Sequence, residues 1–231
     1  MNSKWIDIKA SDGGRFKGYL SLPPLGKGPG IVLIQEIWGV NRHIRAVADQ
    51  YALDGFVVLA PDLFWRQAPR VELGYEGAER ERGLQLMKAS DTARVLADGR
   101  SALQALRALP ACRGKVGTIG YCLGGRLAYL TAAGGGVDAA VCYYGGGIHD
   151  QLDLAAGVAC PIQFHYGARD AHIPPAAVQR VREAFAGRAA AIHVYDDADH
   201  GFNCWERGSY HPASAALAHG RALQHLAGQL F

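Results

Sequence analysis

The 231-residue chain predicts an α/β fold: a mostly parallel open sheet with helices on both faces. Three observations carry this. Short, continuously apolar runs such as Ile31-Val32-Leu33-Ile34 and Phe56-Val57-Val58-Leu59-Ala60 read as strands buried on both faces. Amphipathic helical stretches alternate with them, most clearly from Thr92 to Leu109. A third strand, Lys115–Ile119, runs through a glycine-flanked turn directly into a helix beginning at Leu123.

In chain order, Trp5–Ile8 and Phe16–Leu20 flank Asp12-Gly13-Gly14 and read as an opening β-hairpin. The strand at Ile31–Ile34 ends in Gln35-Glu36-Ile37-Trp38-Gly39, and a helix follows over Arg42–Leu53. Phe56–Ala60 is a strand closed by Pro61-Asp62. From Glu76 to Pro110 the pattern is helical, and a helix is expected over Leu123–Ala133. Ala139–Tyr144, Ile162–Tyr166 and Ile192–Tyr195 supply three more strands, with helices at Pro175–Ala186 and Pro212–Ala227. Gly134-Gly135-Gly136 reads as a loop, so residues 1–231 are expected to form one domain.

Charge and cysteine usage narrow the function classes. A formal charge of +3 without a Lys/Arg run argues against nucleic acid and membrane surfaces, while remaining compatible with a small anionic substrate. The N-terminus lacks the apolar region of a secretory signal, and no apolar run is long enough to span a bilayer. The five cysteines, Cys112, Cys122, Cys142, Cys160 and Cys204, are scattered and form no CxxC pair. The expectation is a cytoplasmic protein without disulfides, metal or cofactor, monomeric, with a dimer as the alternative.

Gly120-Tyr121-Cys122-Leu123-Gly124 has the form of a nucleophile elbow with cysteine in place of serine. Glycines on either side let strand and helix approach, lifting Cys122 above the sheet edge. The N–H of Leu123, at a helix N-terminus, is then placed to stabilise an oxyanion. The competing reading is a small core cysteine. In this arrangement the acid and then the base follow on loops after later strands. Asp170 follows Ile162–Tyr166, and His200 follows Ile192–Tyr195. His172 rivals His200 as base, whereas His165 and His193 fall within strands and read as packed histidines.

Four segments carry a family resemblance: Gln35-Glu36-Ile37-Trp38-Gly39-Val40-Asn41, Ala60-Pro61-Asp62-Leu63-Phe64, Gly120–Gly125 and His200-Gly201-Phe202-Asn203. Together they resemble the dienelactone hydrolases (carboxymethylenebutenolidases) of the α/β-hydrolase superfamily, over about Asp12 to Leu226. The resemblance implies a thiol hydrolase that opens an unsaturated lactone bearing a carboxylate, giving maleylacetate or a relative during aromatic compound degradation. It implies the triad Cys122, Asp170 and His200, an oxyanion hole from the amides of Ile37 and Leu123, and Glu36 as the carboxylate that contacts the thiol. It makes Arg80 the arginine that pairs with Glu36 and binds the substrate carboxylate. Arg82 is an alternative to Arg80, and Arg207 is a loose counterpart of a second substrate arginine. Phe64 and Trp65, just past a strand end, either line the pocket or merely pack. A broader cysteine esterase or thioesterase shares every one of these residues. A redox-sensing thiol protein needs Cys122 but neither Asp170 nor His200.

Overall fold

A computed structural model describes residues 2–231, which divide into two compact units: residues 2–117 with Leu230–Phe231, and Thr118–Gln229. Eight strands run in the order β1-β2-β4-β3 through the first unit and β5-β6-β7-β8 through the second.

In the first unit, β1 (Asn2–Lys9) and β2 (Arg15–Leu22) form an antiparallel hairpin in the register Asn2↔Leu22 to Lys9↔Arg15. The turn depends on Gly13, at φ 91°, and on the Asp12 carboxylate, which accepts the Gly14 N–H at 3.1 Å. β3 (Gly28–Ile34) and β4 (Val57–Pro61) pair in parallel, and β4 pairs antiparallel with β2. Every residue of β4 is buried, as a strand covered on both faces requires. Helix α1 (Arg42–Leu53) is capped by Asn41, whose side chain accepts the Ile44 N–H at 3.2 Å. It buries Ile44, Val47, Ala48 and Tyr51, one helical face.

The helical pattern from Glu76 to Pro110 forms two helices, α2 (Gly77–Ala89) and α3 (Thr92–Ala108). The break has a local cause. Ser90 is extended, and the Asp91 carboxylate accepts the N–H groups of Ala93 and Arg94, starting a new helix.

β5 (Cys112–Tyr121) carries the chain into the second unit, where β6 (Ala140–Tyr143), β7 (Ile162–Gly167) and β8 (Ala190–Tyr195) add in parallel. Helices α4 (Leu123–Ala133), α5 (Pro175–Ala184) and α6 (Pro212–Leu230) follow β5, β7 and β8. Two short 3-10 helices, Ile148–Asp150 and Leu152–Gly157, follow β6. Ile119, Val141, Phe164, Tyr129 and Leu226 are fully or almost fully buried, and each such aliphatic side chain contributes about 1.5–3 kcal/mol. Parallel strands place the β5, β6, β7 and β8 C-termini at one edge, where open α/β sheets bind ligands. Among the described residues, no helix is long and apolar enough to cross a membrane.

Candidate active site

The turn between β5 and α4 is built on strain and missing side chains. Cys122 has φ 54° and ψ −116°, outside the usual region for a residue with a Cβ. Such a conformation costs on the order of 1–3 kcal/mol and persists only where the surroundings impose it. Here they do. A Cβ on Gly120 would overlap the Gly124 carbonyl, and one on Gly125 would overlap the Tyr143 carbonyl oxygen. The Cys122 N–H donates to Tyr143 O at 3.1 Å, and its carbonyl accepts the Arg126 N–H at 3.2 Å. The thiol is left half-buried at the N-terminus of α4, whose first residue is Leu123. The N–H of Leu123 is therefore among the donors that an α-helix leaves without an internal partner.

Two later loops converge on this thiol. His200 Nε2 lies 3.1 Å from Cys122 Sγ, and His200 Nδ1 lies 2.7 Å from Asp170 Oδ2. The Asp170 carboxylate is fully buried and the imidazole nearly so. Since a carboxylate only accepts, Nδ1 carries the proton of that bond and Nε2 faces the sulfur. Asp170 Oδ1 accepts the backbone N–H of His172 at 2.8 Å, so both carboxylate oxygens are occupied. The loops are also joined to each other, Ala168 N–H donating to Tyr195 O and Arg169 N–H to Ala198 O, both at 2.9 Å. A Cβ on Gly167 would overlap Ala198 O, so the approach needs glycine there.

Burial opposes a charge on His200. The charge of Cys122 and the hydrogen bond to Asp170 outweigh it, and the imidazole is pushed up to about 10. These contacts favour the protonated imidazole, held within hydrogen-bond reach of the Cys122 thiol.

His172 comes close to the same place without entering the chain. Its ring meets that of His200 edge-on with centroids 5.1 Å apart, and it is the His172 backbone that binds Asp170. His165 is fully buried, bonded to Tyr195 Oη and Gln163 Oε1 at 2.9 Å each, and burial pushes it down. His193 bonds Gln163 Nε2 at 3.1 Å and is lowered too, chiefly by burial. Both are packed histidines. Of the other cysteines, Cys112, Cys142 and Cys204 are buried, and burial raises the thiols of Cys112, Cys142 and Cys160.

The remaining candidate residues sit as follows. Glu36 and Ile37 are buried just beyond β3, and a Glu36 carboxylate oxygen lies within 4.8 Å of a His43 ring nitrogen. Phe64 is 1% exposed, a core position. Trp65 stacks on Phe16 at 5.3 Å and donates its indole N–H to Asp98 at 2.8 Å, so within its own unit it packs. Arg80 and Arg82 are exposed on α2, with Arg80 3.3 Å from Glu81. Arg207 is half-buried, with its guanidinium laid against Gly201, next to His200. Tyr144 was not legible as a site residue. Its ring packs 5.1 Å from that of His200, and it has φ 35°, unusual for a tyrosine. The one sequence signal for it is its place between a strand end and Gly145-Gly146-Gly147.

A mostly parallel sheet whose strand, sharp cysteine turn and helix stand under loops after later strands defines an α/β-hydrolase. The chain belongs to the dienelactone hydrolase family, whose model matches residues 16–230. It is 38% identical over 229 residues to the carboxymethylenebutenolidases of Pseudomonas putida and Pseudomonas knackmussii, covering 98% of this chain and 97% of each of theirs. Among solved structures, a Klebsiella pneumoniae protein assigned as a dienelactone hydrolase superposes with TM-score 0.86 at 31% identity, over 97% of this chain and 98% of that one. The protein is thus a carboxylic ester hydrolase.

Proposed function

We propose that this enzyme opens a carboxylate-bearing unsaturated lactone, dienelactone to maleylacetate, through a Cys122-His200-Asp170 triad and a thioester acyl-enzyme, with residues 1–231 acting as one hydrolase domain. The observation that carries the reading is the hydrogen-bonded chain from Cys122 Sγ through His200 to Asp170. The lactone is the substrate that the names of the Pseudomonas relatives give.

The sulfur anion adds to the lactone carbonyl carbon, whose oxygen becomes an oxyanion. The N–H groups of Ile37 and Leu123 receive that charge; losing one such donor costs other enzymes about 3 kcal/mol. Collapse re-forms the carbonyl and breaks the ring C–O bond. The ring oxygen leaves as an enolate and takes a proton from the imidazolium, so nothing departs and the ring-opened acid stays on sulfur. His200, now neutral, removes a proton from water as it attacks the thioester. The second collapse returns Cys122 as leaving group and releases the diacid. Asp170 holds the imidazole tautomer throughout, without itself being protonated. The family resemblance gives Glu36 its role toward the thiol and offers Arg80, Arg82 and Arg207 as candidates for the substrate carboxylate.

The test is turnover of cis- and trans-dienelactone beside simple aryl esters. Lactone turnover well above that of aryl esters supports this substrate. Comparable rates on all of them replace it with a broad cysteine esterase, and no turnover of any ester removes the hydrolytic reading.

A further inference from the structure

We propose that Arg126 binds the substrate carboxylate and so sets the preference for anionic over neutral esters, an inference that rests on the lactone hydrolysis proposed for Cys122.

Arg126 lies one turn beyond Cys122 on α4, its N–H bonded to the Cys122 carbonyl at 3.2 Å. Cys122 is the N-cap of α4, and this backbone bond sets Arg126 one turn along the helix from the nucleophile. The side chain is only half-buried, yet its Nε is buried and has no hydrogen-bond partner. Leaving a buried donor unpaired costs about 1–3 kcal/mol, and charged groups cost more. The contrast within the molecule is Arg66, which forms a two-point pair with Asp98 at 2.8 Å and a third bond to Asp12 at 2.7 Å. That guanidinium is a closed structural cation. Arg126 is not.

The chain around Arg126 is stripped to backbone. Arg126 Nη1 and Cδ lie 3.3 and 3.4 Å from where a Gly147 Cβ would stand. A Gly145 Cβ would come within 2.9 Å of Arg126 N, whereas a Gly146 Cβ would project into open space. Gly145-Gly146-Gly147 therefore offers no side chain to pair with the cation. The first acid after the glycine run, Asp150, lies 3.6 Å from His149. The glycine run starts directly after Tyr144, whose ring packs on His200. Arg126 is thus flanked by the helix of the proposed nucleophile and by the loop leading from the aromatic neighbour of the proposed base. A planar carboxylate would satisfy the open guanidinium with two parallel, charge-assisted hydrogen bonds.

The experiment compares wild type, Arg126→Ala and Arg126→Lys. Rates are measured on trans-dienelactone and neutral p-nitrophenyl acetate, and binding of 2-furoate, an unreactive cyclic carboxylate, by calorimetry. The ratio of kcat/KM for lactone over neutral ester should fall roughly 10- to 100-fold in Arg126→Ala, mainly through KM, as loss of one charge-assisted pair implies. Arg126→Lys keeps the charge without the fork and should recover part of it; it also carries the comparison if the alanine variant does not fold. The affinity for 2-furoate should drop by a similar factor. An unchanged ratio with unchanged 2-furoate affinity overturns the proposal. If wild type hydrolyses neither ester yet binds 2-furoate through Arg126, the anion site stands and the hydrolytic reading of Cys122 falls.

Discussion

His200 presents Nε2 to Cys122 Sγ at 3.1 Å while its opposite nitrogen is held by a fully buried Asp170 carboxylate at 2.7 Å. An imidazole fixed at both ends can take and return a proton without reorienting. His200→Ala and Asp170→Asn should therefore each lower kcat by about 10³- to 10⁴-fold, as triad lesions do elsewhere. His172→Ala should stay within a few-fold of wild type, because only its backbone N–H binds Asp170. Steady-state kinetics on one lactone checks all three. An equal loss from His172→Ala would transfer the base to that residue.

Thiol reactivity should be concentrated at one position. Cys112, Cys142 and Cys204 are buried, and burial raises Cys160, whereas Cys122 is half-buried beside an imidazole. Limited iodoacetamide treatment followed by peptide mass spectrometry should find Cys122 alkylated first, with activity lost in step. First labelling at Cys160 or Cys204 would contradict this.

The same contact makes stability depend on pH in a defined direction. His200 is pushed up to about 10, with burial opposing and the charge of Cys122 and the bond to Asp170 prevailing. A histidine raised on folding stabilises the native state fully below its unfolded value near 6.5, and that contribution is lost as pH climbs toward 10. Urea midpoints should therefore fall between pH 7 and 10 more steeply in wild type than in His200→Gln. Cys122→Ala, which removes the leading favourable cause, should flatten the slope as well. Parallel slopes in all three proteins would show that the pair is not charged.

Two glycines test the strained turn against ordinary helix behaviour. Gly120→Ala must move the Gly124 carbonyl and should destabilise by roughly 3 kcal/mol or more, in the range of severe core lesions. Gly99, within α3, has nothing within 4 Å of its would-be Cβ, so Gly99→Ala should stabilise by about 0.5–1 kcal/mol. Thermal or urea denaturation reads both. A tolerated Gly120→Ala would mean that the elbow is looser than its contacts imply.

The elements legible in the sequence were those with a strong period and a clear stop. Helix α1 ends at Leu53, two residues before Gly55, and α4 begins at the turn its glycines require. The break at Ser90-Asp91 was less legible, because a cap inside one amphipathic stretch leaves the hydrophobic period almost undisturbed. The 3-10 turns after β6 carry no period at all. In the candidate site, Cys122, Asp170 and His200 could be read from their places at strand ends. Tyr144 and Arg126 could not, since ring packing and a missing partner are properties of the folded chain. The exposed Arg80 and Arg82 show the converse: their proposed role came from resemblance, and charge on a helix surface alone does not distinguish it from solvation.

The most direct test of the thiol mechanism is the mass of the trapped acyl-enzyme. Because a lactone loses no fragment when its ring opens, the thioester should add the full mass of the substrate to the protein. Rapid acid quench of the enzyme with trans-dienelactone, followed by intact mass and peptide mapping, should place that increment on the peptide bearing Cys122, with none in Cys122→Ala, which should also be inactive. The same increment on another residue, or continued turnover by Cys122→Ala, would contradict Cys122 as the nucleophile.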